Sequence, residues 1–205
     1  MNHPTPTPPH PSRPLVARQP IWTAAGALHG FELLYRTHAG QPAGVDRWGE
    51  DRQERATASV LQQLSTVPVE GTRAFVNVTR GFLVQDVPLP PHRDRLVLEV
   101  VESVPADPRA LAGLARLHAA GYRIAIDDFS GTSAQLAMLP YADYVKIDCR
   151  DLLRHGMGLV EVARRSGAQV VAERISTQAL ADRCRAWGFD LLQGNALGAA
   201  TTVAA

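Results

Sequence analysis

The chain has 205 residues, 45% of them hydrophobic and 20% charged, and its 21 Lys and Arg against 20 Asp and Glu leave a net charge of +1. That length builds one sizeable core rather than two, and the balanced charge excludes a long-range field that would gather DNA, RNA or an anionic membrane. Two cysteines, Cys149 and Cys184, without metal-ligand spacing, and no secretory segment near Met1 point to a reducing, cytoplasmic setting, while no run reaches the ~20 apolar residues of a membrane span.

Residues 1–14 carry Pro4, Pro6, Pro8, Pro9, Pro11 and Pro14 among Thr, His and Ser, a composition that favours extended, solvated chain and predicts a disordered leader. From Val16 onward, β-rich runs alternate with stretches of helical period, the pattern of βα units on a mainly parallel sheet. The first two strands, over 16–22 and 30–35, are separated by a turn at Gly26 and can form a hairpin. A helix over 52–64 shows Ala56, Val60, Leu61 and Leu64 on one face, and strands follow over 74–78 and 96–101. The helix over 108–120 has the clearest end signals: Asp107 to cap it, Pro108 at its first position and Gly121 at its stop. A strand over 123–127, a helix over 133–139, a strand over 144–147, a helix over 159–166 and a strand over 169–172 come next. A helix over 177–187, opened by Ser176 and closed by Gly188, and a strand over 191–193 complete the series. Eight strands with interleaved helices predict an α/β fold, a small TIM-like (β/α)8 barrel over 15–197, near the ~200-residue lower limit of that architecture. The featureless residues 198–205 are expected to form a flexible tail.

Polar residues recur at or just beyond the carboxyl ends of these strands, where such a barrel gathers its active site. Glu32 lies within the second strand and Asn77 near the end of the third. Glu99 and Glu102 close the fourth, Asp127 and Asp128 the fifth, Lys146 the sixth, Glu173 follows the seventh and Gln193 ends the eighth. Taken singly, each has an ordinary reading: a loop cap, a surface ion pair, a snorkelling lysine. Taken together, six carboxylates converging with one lysine would repel one another unless a cation neutralised them. Carboxylates and an amide oxygen suit Mg²⁺ or Mn²⁺ better than zinc or copper. Two such ions ~4 Å apart would polarise a phosphodiester and activate a water. The seven histidines lack ligand spacing and read as structural or solvated, and the two cysteines as inert small residues.

The segments Gln19-Pro20-Ile21, Glu32-Leu33-Leu34-Tyr35-Arg36, Phe75-Val76-Asn77-Val78-Thr79, Leu98-Glu99-Val100-Val101-Glu102, Ala125-Ile126-Asp127-Asp128-Phe129, Val145-Lys146-Ile147-Asp148, Val171-Ala172-Glu173 and Gln193-Gly194 resemble, in order and spacing, the signature segments of EAL domains. The resemblance implies a (β/α) barrel that hydrolyses cyclic di-GMP to linear pGpG with divalent metal. It makes Glu32, Asn77, Glu99 and Asp127 ligands of a first ion and places Asp128 to serve a second. Glu173 and Lys146 would hold or activate the attacking water, Glu102 would steady the loop after the paired aspartates, and Gln193 would position water or substrate. Gln19 and Arg36 match positions that contact the dinucleotide. A homodimer is plausible by the same resemblance.

The chain departs from the family pattern at Leu33, where the name-giving motif has Ala, and at Ser130-Gly131-Thr132-Ser133, whose glycine is displaced. Ser176 replaces a further acid, Asn195 an aromatic residue, and the stretch over 36–74 is short. The wording is most similar to the EAL half of two-domain proteins that carry an HDOD domain. The departures keep a second expectation in play: an inactive EAL-like module that binds cyclic di-GMP or a regulatory protein.

Overall fold

The computed structural model describes residues 15–64, 71–85, 87, 89–91 and 93–203; the leader expected over 1–14 lies outside them. β1 (Val16–Thr23) and β2 (Leu28–Tyr35) form the expected hairpin, antiparallel from Val16 against Tyr35 to Trp22 against Leu28. Parallel pairing then runs from β2 through β3 (Arg73–Val78), β4 (Leu96–Val100), β5 (Arg123–Ile126), β6 (Tyr144–Asp148), β7 (Gln169–Glu173) and β8 (Leu191–Gln193). β8 returns to pair antiparallel with β1, which closes an eight-stranded barrel. The helices α1 (Glu50–Gln63), α2 (Arg80–Val84), α3 (Pro108–Ala119), α4 (Ser133–Met138), α5 (Cys149–His155), α6 (Gly158–Arg165) and α7 (Gln178–Ala186) fall between the strands. Among the described residues, no helix is long and apolar enough to cross a membrane.

The end signals of α3 act as the sequence requires: the Asp107 carboxylate accepts from the backbone N–H of Arg109 at 2.9 Å and of Ala110 at 3.1 Å. At α7 the cap is Thr177 rather than Ser176, with Thr177 Oγ1 accepting from Leu180 N at 3.2 Å. α2 and α5 were not foreseen. Residues 201–203, expected within a flexible tail, form a short strand, β9 (Thr201–Val203), antiparallel to the first half of β1. β8 covers only the second half of β1, so the first half offers free backbone groups to the β-branched run Thr201-Thr202-Val203.

Two cores result from the period of two along each strand. Val76, Leu98, Ile124, Val145, Val170 and Leu192 face outward into the main core beneath the helices. Ile21, Phe75, Val97, Ala125, Tyr144, Val171 and Leu191 face inward and form an apolar floor inside the barrel. The hairpin carries a bulge, because Ile21 pairs with Gly30 while Trp22 pairs with Leu28, leaving His29 as the extra residue. The bulge aims His29 at the floor, where it meets the Tyr144 ring at 5.6 Å and the Tyr144 hydroxyl at 3.3 Å. Gly30 follows because a Cβ there would lie 2.5 Å from the Arg73 carbonyl oxygen.

Burial, with help from Arg73, pulls the His29 imidazole from 6.5 down to about 4. Between those values the unfolded chain takes up a proton that the folded one refuses, so stability falls as pH falls through that window. Because the ring is only partly buried, the expected loss from pH 7 to pH 4 is about 1–2 kcal/mol. Urea unfolding of His29→Phe should show a shallower decline over that range than the parent. Parallel curves for the two proteins would remove His29 as the cause.

Candidate active site

The site follows from the floor by the same period of two. Two positions on from Phe75, Val97, Ala125, Tyr144, Val171 and Leu191 stand Asn77, Glu99, Asp127, Lys146, Glu173 and Gln193. On the antiparallel β1 the step runs the other way, from Ile21 to Gln19, and on β2 Gly30 precedes Glu32. Eight strands therefore present one polar ring above one apolar floor, at the carboxyl ends of the parallel strands.

Lys146 holds the centre of that ring. Its side chain is 1% exposed, and Nζ lies 2.7 Å from Glu173 Oε1, 3.3 Å from Glu32 Oε2 and 3.3 Å from Asp127 Oδ1, with Glu99 Oε1 in contact as well. Burial alone would lower the ammonium pKa, but Asp127, Glu173, Glu32 and Glu99 together push it well up. One ammonium cannot satisfy four carboxylates. Burial raises Glu99 well above the usual carboxylate range and Glu173 to about 8, against the pull of Lys146 in both cases. A carboxyl group poised there can exchange a proton near neutral pH. Gln193 Nε2 donates to Glu32 Oε2 at 2.6 Å and to Gln19 Oε1 at 3.1 Å, and Gln19 Nε2 donates to Asn195 Oδ1 at 3.2 Å.

A second group of acids lies at the outer edge. Glu102, Asp127 and Asp128 bring carboxylate oxygens within 4.8 Å of one another, as Glu32, Glu99 and Glu173 do inside. Burial and then Asp127 raise the Asp128 carboxyl. Gln135 steadies the loop after the paired aspartates, and Glu102, to which the resemblance gives that task, lies beside Asp127 and Asp128 among the outer acids. Gln135 Oε1 accepts from Ser130 N at 3.0 Å and Thr132 N at 3.3 Å, and Nε2 donates to the carbonyls of Asp127 at 3.2 Å and Asp128 at 3.0 Å. The signal for Gln135 was present as the capping-box pattern Thr132-Ser133-Ala134-Gln135.

Two adjoining cavities, of about 430 and 520 Å³, share Glu32, Leu34, Asp127, Asp128 and Arg174 in their walls. The first also takes in Arg36, Asn77 and Glu102, and the second Gln19, Lys146, Glu173 and Gln193. The two residues that the resemblance gives to the dinucleotide thus lie one in each. Burial, partly offset by Glu32, lowers the Arg36 guanidinium. Gly194 lets β8 leave the ring beside Ile175, whose backbone N and O would sit 2.3 Å from a Cβ.

Arg174, directly after β7, was not foreseen. Its backbone is left-handed at φ 55°, a conformation that costs a side-chain-bearing residue roughly 1 kcal/mol or more. Its Nη2 lies 3.3 Å from Asp128 Oδ2 and its Nε 3.0 Å from Asp148 Oδ2. Asp148 caps α5 through Arg150 N at 2.8 Å and also pairs with the Arg150 guanidinium at 2.5 Å. Behind the site, Cys149 Sγ and Cys184 Sγ lie 3.4 Å apart, both buried, and join α5 to α7.

The donor set fits hard divalent cations. Asn77 Oδ1, Glu99 Oε2 and Gln193 Oε1 are buried oxygens with no hydrogen-bond partner among the described residues. Lone pairs left empty beside an excess of carboxylates are what oxygen-seeking cations would fill. Among the residues of the ring and the outer acids there is neither a histidine nor a cysteine.

A family model described as EAL domain matches residues 70–200. The cyclic di-GMP phosphodiesterase CdgJ of Vibrio cholerae is 30% identical over 192 residues, which cover 87% of this chain and 42% of CdgJ. The chain spans less than half the length of the curated relatives that it matches along most of its own length. Among solved structures, YkuI of Bacillus subtilis, a protein with an EAL domain in complex with cyclic di-GMP and calcium, superposes with a TM-score of 0.76 at 20% identity. The match covers 94% of this chain and 57% of that one. BlrP1 of Klebsiella pneumoniae, in a manganese and cyclic di-GMP complex, gives 0.73 at 22% identity over 98% of this chain and 58% of that one. At these identities the likeness to the solved structures is one of fold.

Proposed function

Because the chain belongs to the EAL domain family, we propose that it is a metal-dependent phosphodiesterase that opens cyclic di-GMP to linear pGpG, with Mg²⁺ or Mn²⁺ as cofactor. The observation that carries this reading is the ring itself: four carboxylates crowd one buried ammonium, and three buried oxygens beside them have no partner among the described residues. In an apolar barrel that arrangement costs stability, which a purely structural role does not explain.

Glu32, Asn77, Glu99 and Asp127 would hold an inner cation, and Asp128 an outer one with Glu102 and Asp127. Bound there, the ions would polarise the phosphodiester and lower the pKa of a water. Lys146, 2.7 Å from Glu173, orients that carboxylate, which holds the water and accepts its proton. The water oxygen bonds to phosphorus, one P–O bond of the cyclic dinucleotide breaks, and the released oxygen takes a proton. Gln193, anchored on Glu32 and Gln19, positions the water or the phosphate. Gln19 and Arg36, one in each cavity, contact the dinucleotide.

One observation favours the second reading, a module that binds cyclic di-GMP or a protein without turnover. Gln19 is already engaged on both sides by Asn195 and Gln193, so a nucleotide has to compete for it. Chelation separates the two readings. Protein stripped with EDTA should form no pGpG, and Mn²⁺ or Mg²⁺ should restore it, as followed by chromatography. Equal product from the stripped protein would overturn the role of the ions.

A further inference from the structure

We propose that Arg174 is a built-in counter-cation for Asp128, which a divalent cation must displace before it occupies the outer acid group, so that this one side chain sets the affinity of the outer site. The proposal rests on the reading of the barrel mouth as a divalent-cation site.

The geometry separates two internal cations. Lys146 is 1% exposed and enclosed by four carboxylates, so no incoming ion can push it out. The Arg174 side chain is 55% exposed and can swing into solvent. It is tethered from behind, where Nε meets Asp148 Oδ2 at 3.0 Å, and it reaches forward with Nη2 to Asp128 Oδ2 at 3.3 Å. Asp128 is one of the three acids whose oxygens lie within 4.8 Å at the outer edge. The buried and unpartnered Asn77 Oδ1 belongs to a residue that lines the same cavity as those three. Arg174 itself lines both cavities.

The backbone supports a role beyond chance placement. A left-handed φ of 55° is disfavoured for arginine, and it persists only where the surroundings impose it. A glycine would meet the backbone requirement without strain; an arginine there adds a positive charge 3.3 Å from the Asp128 carboxylate. A solvent-exposed ion pair is weak, so a divalent cation can win Asp128 from Arg174, at the cost of a few-fold in affinity.

Calorimetric titration of Mn²⁺ alone into the stripped full chain tests this, with the parent compared against Arg174→Gly and Arg174→Ala. Both variants lack the guanidinium, but only glycine relieves the backbone. The tighter of two binding events should be unchanged in both variants, and the weaker should tighten by roughly three- to tenfold in both. Raising the salt should shrink that gap. An unchanged or weakened second event, with the first intact, would overturn the role of Arg174 and leave the metal reading standing. Tightening in Arg174→Gly alone would assign the effect to backbone relief and would also overturn it. No Mn²⁺ uptake by any of the three proteins would sink the proposal together with the metal site on which it rests.

Discussion

Replacing Lys146 with Met is expected to cost about 3–5 kcal/mol of stability, the usual penalty for removing one partner of a buried ionic group. Methionine occupies similar volume, so the floor beneath stays packed. What disappears is the one ammonium that lies within 3.3 Å of Glu32, Asp127 and Glu173 and also touches Glu99. Those carboxylates must then take up protons or repel one another in a largely buried space. In urea at pH 7, with EDTA present, the unfolding midpoint should drop by roughly 1–2 M. A midpoint matching the parent would mean that the carboxylates are not held ionised around Lys146, and the electrostatic picture of the ring would have to be abandoned.

Glu32→Ala should separate chemistry from folding. Glu32 is 8% exposed, accepts from Gln193 at 2.6 Å and lies 3.3 Å from Lys146. Its loss removes a proposed cation ligand and leaves Gln193 held by Gln19 alone. Several kcal/mol of transition-state stabilisation would go with it, which corresponds to a fall in kcat of roughly 10²–10³-fold or more. Stability should hardly change, because the lost contacts are offset by relief of repulsion among the remaining carboxylates. A kcat within about threefold of the parent would take Glu32 out of the cation site.

Why the fold was legible and parts of the site were not is a matter of range. The strands announced themselves through apolar runs such as Leu96-Val97-Leu98 and Val170-Val171-Ala172, because both faces of a covered barrel strand are buried. The acids announced themselves by breaking those runs at strand ends. α2 and α5 escaped because five and seven residues are too short to establish a helical period. β9 escaped because its reason for pairing is an open edge on β1, far away in sequence. The same limit applies to Arg174: its spacing says nothing of a left-handed backbone, nor that Asp128 and Asp148, 46 and 26 positions earlier, converge on it. The sharing of Lys146 among β2, β4, β7 and the residue just past β5 is likewise a property of barrel closure. Each strand contributes one residue, and only the common register brings them together.

Hydrolysis at the barrel mouth is tested most directly by cyclic di-GMP cleavage by the folded parent protein and Glu32→Ala side by side with Mn²⁺, with nucleotide binding read by calorimetry on the same samples. The parent should form pGpG, and Glu32→Ala should form none. Heat of binding without product from the parent would contradict hydrolysis and leave a nucleotide-binding module, and neither heat nor product would contradict the nucleotide site as well.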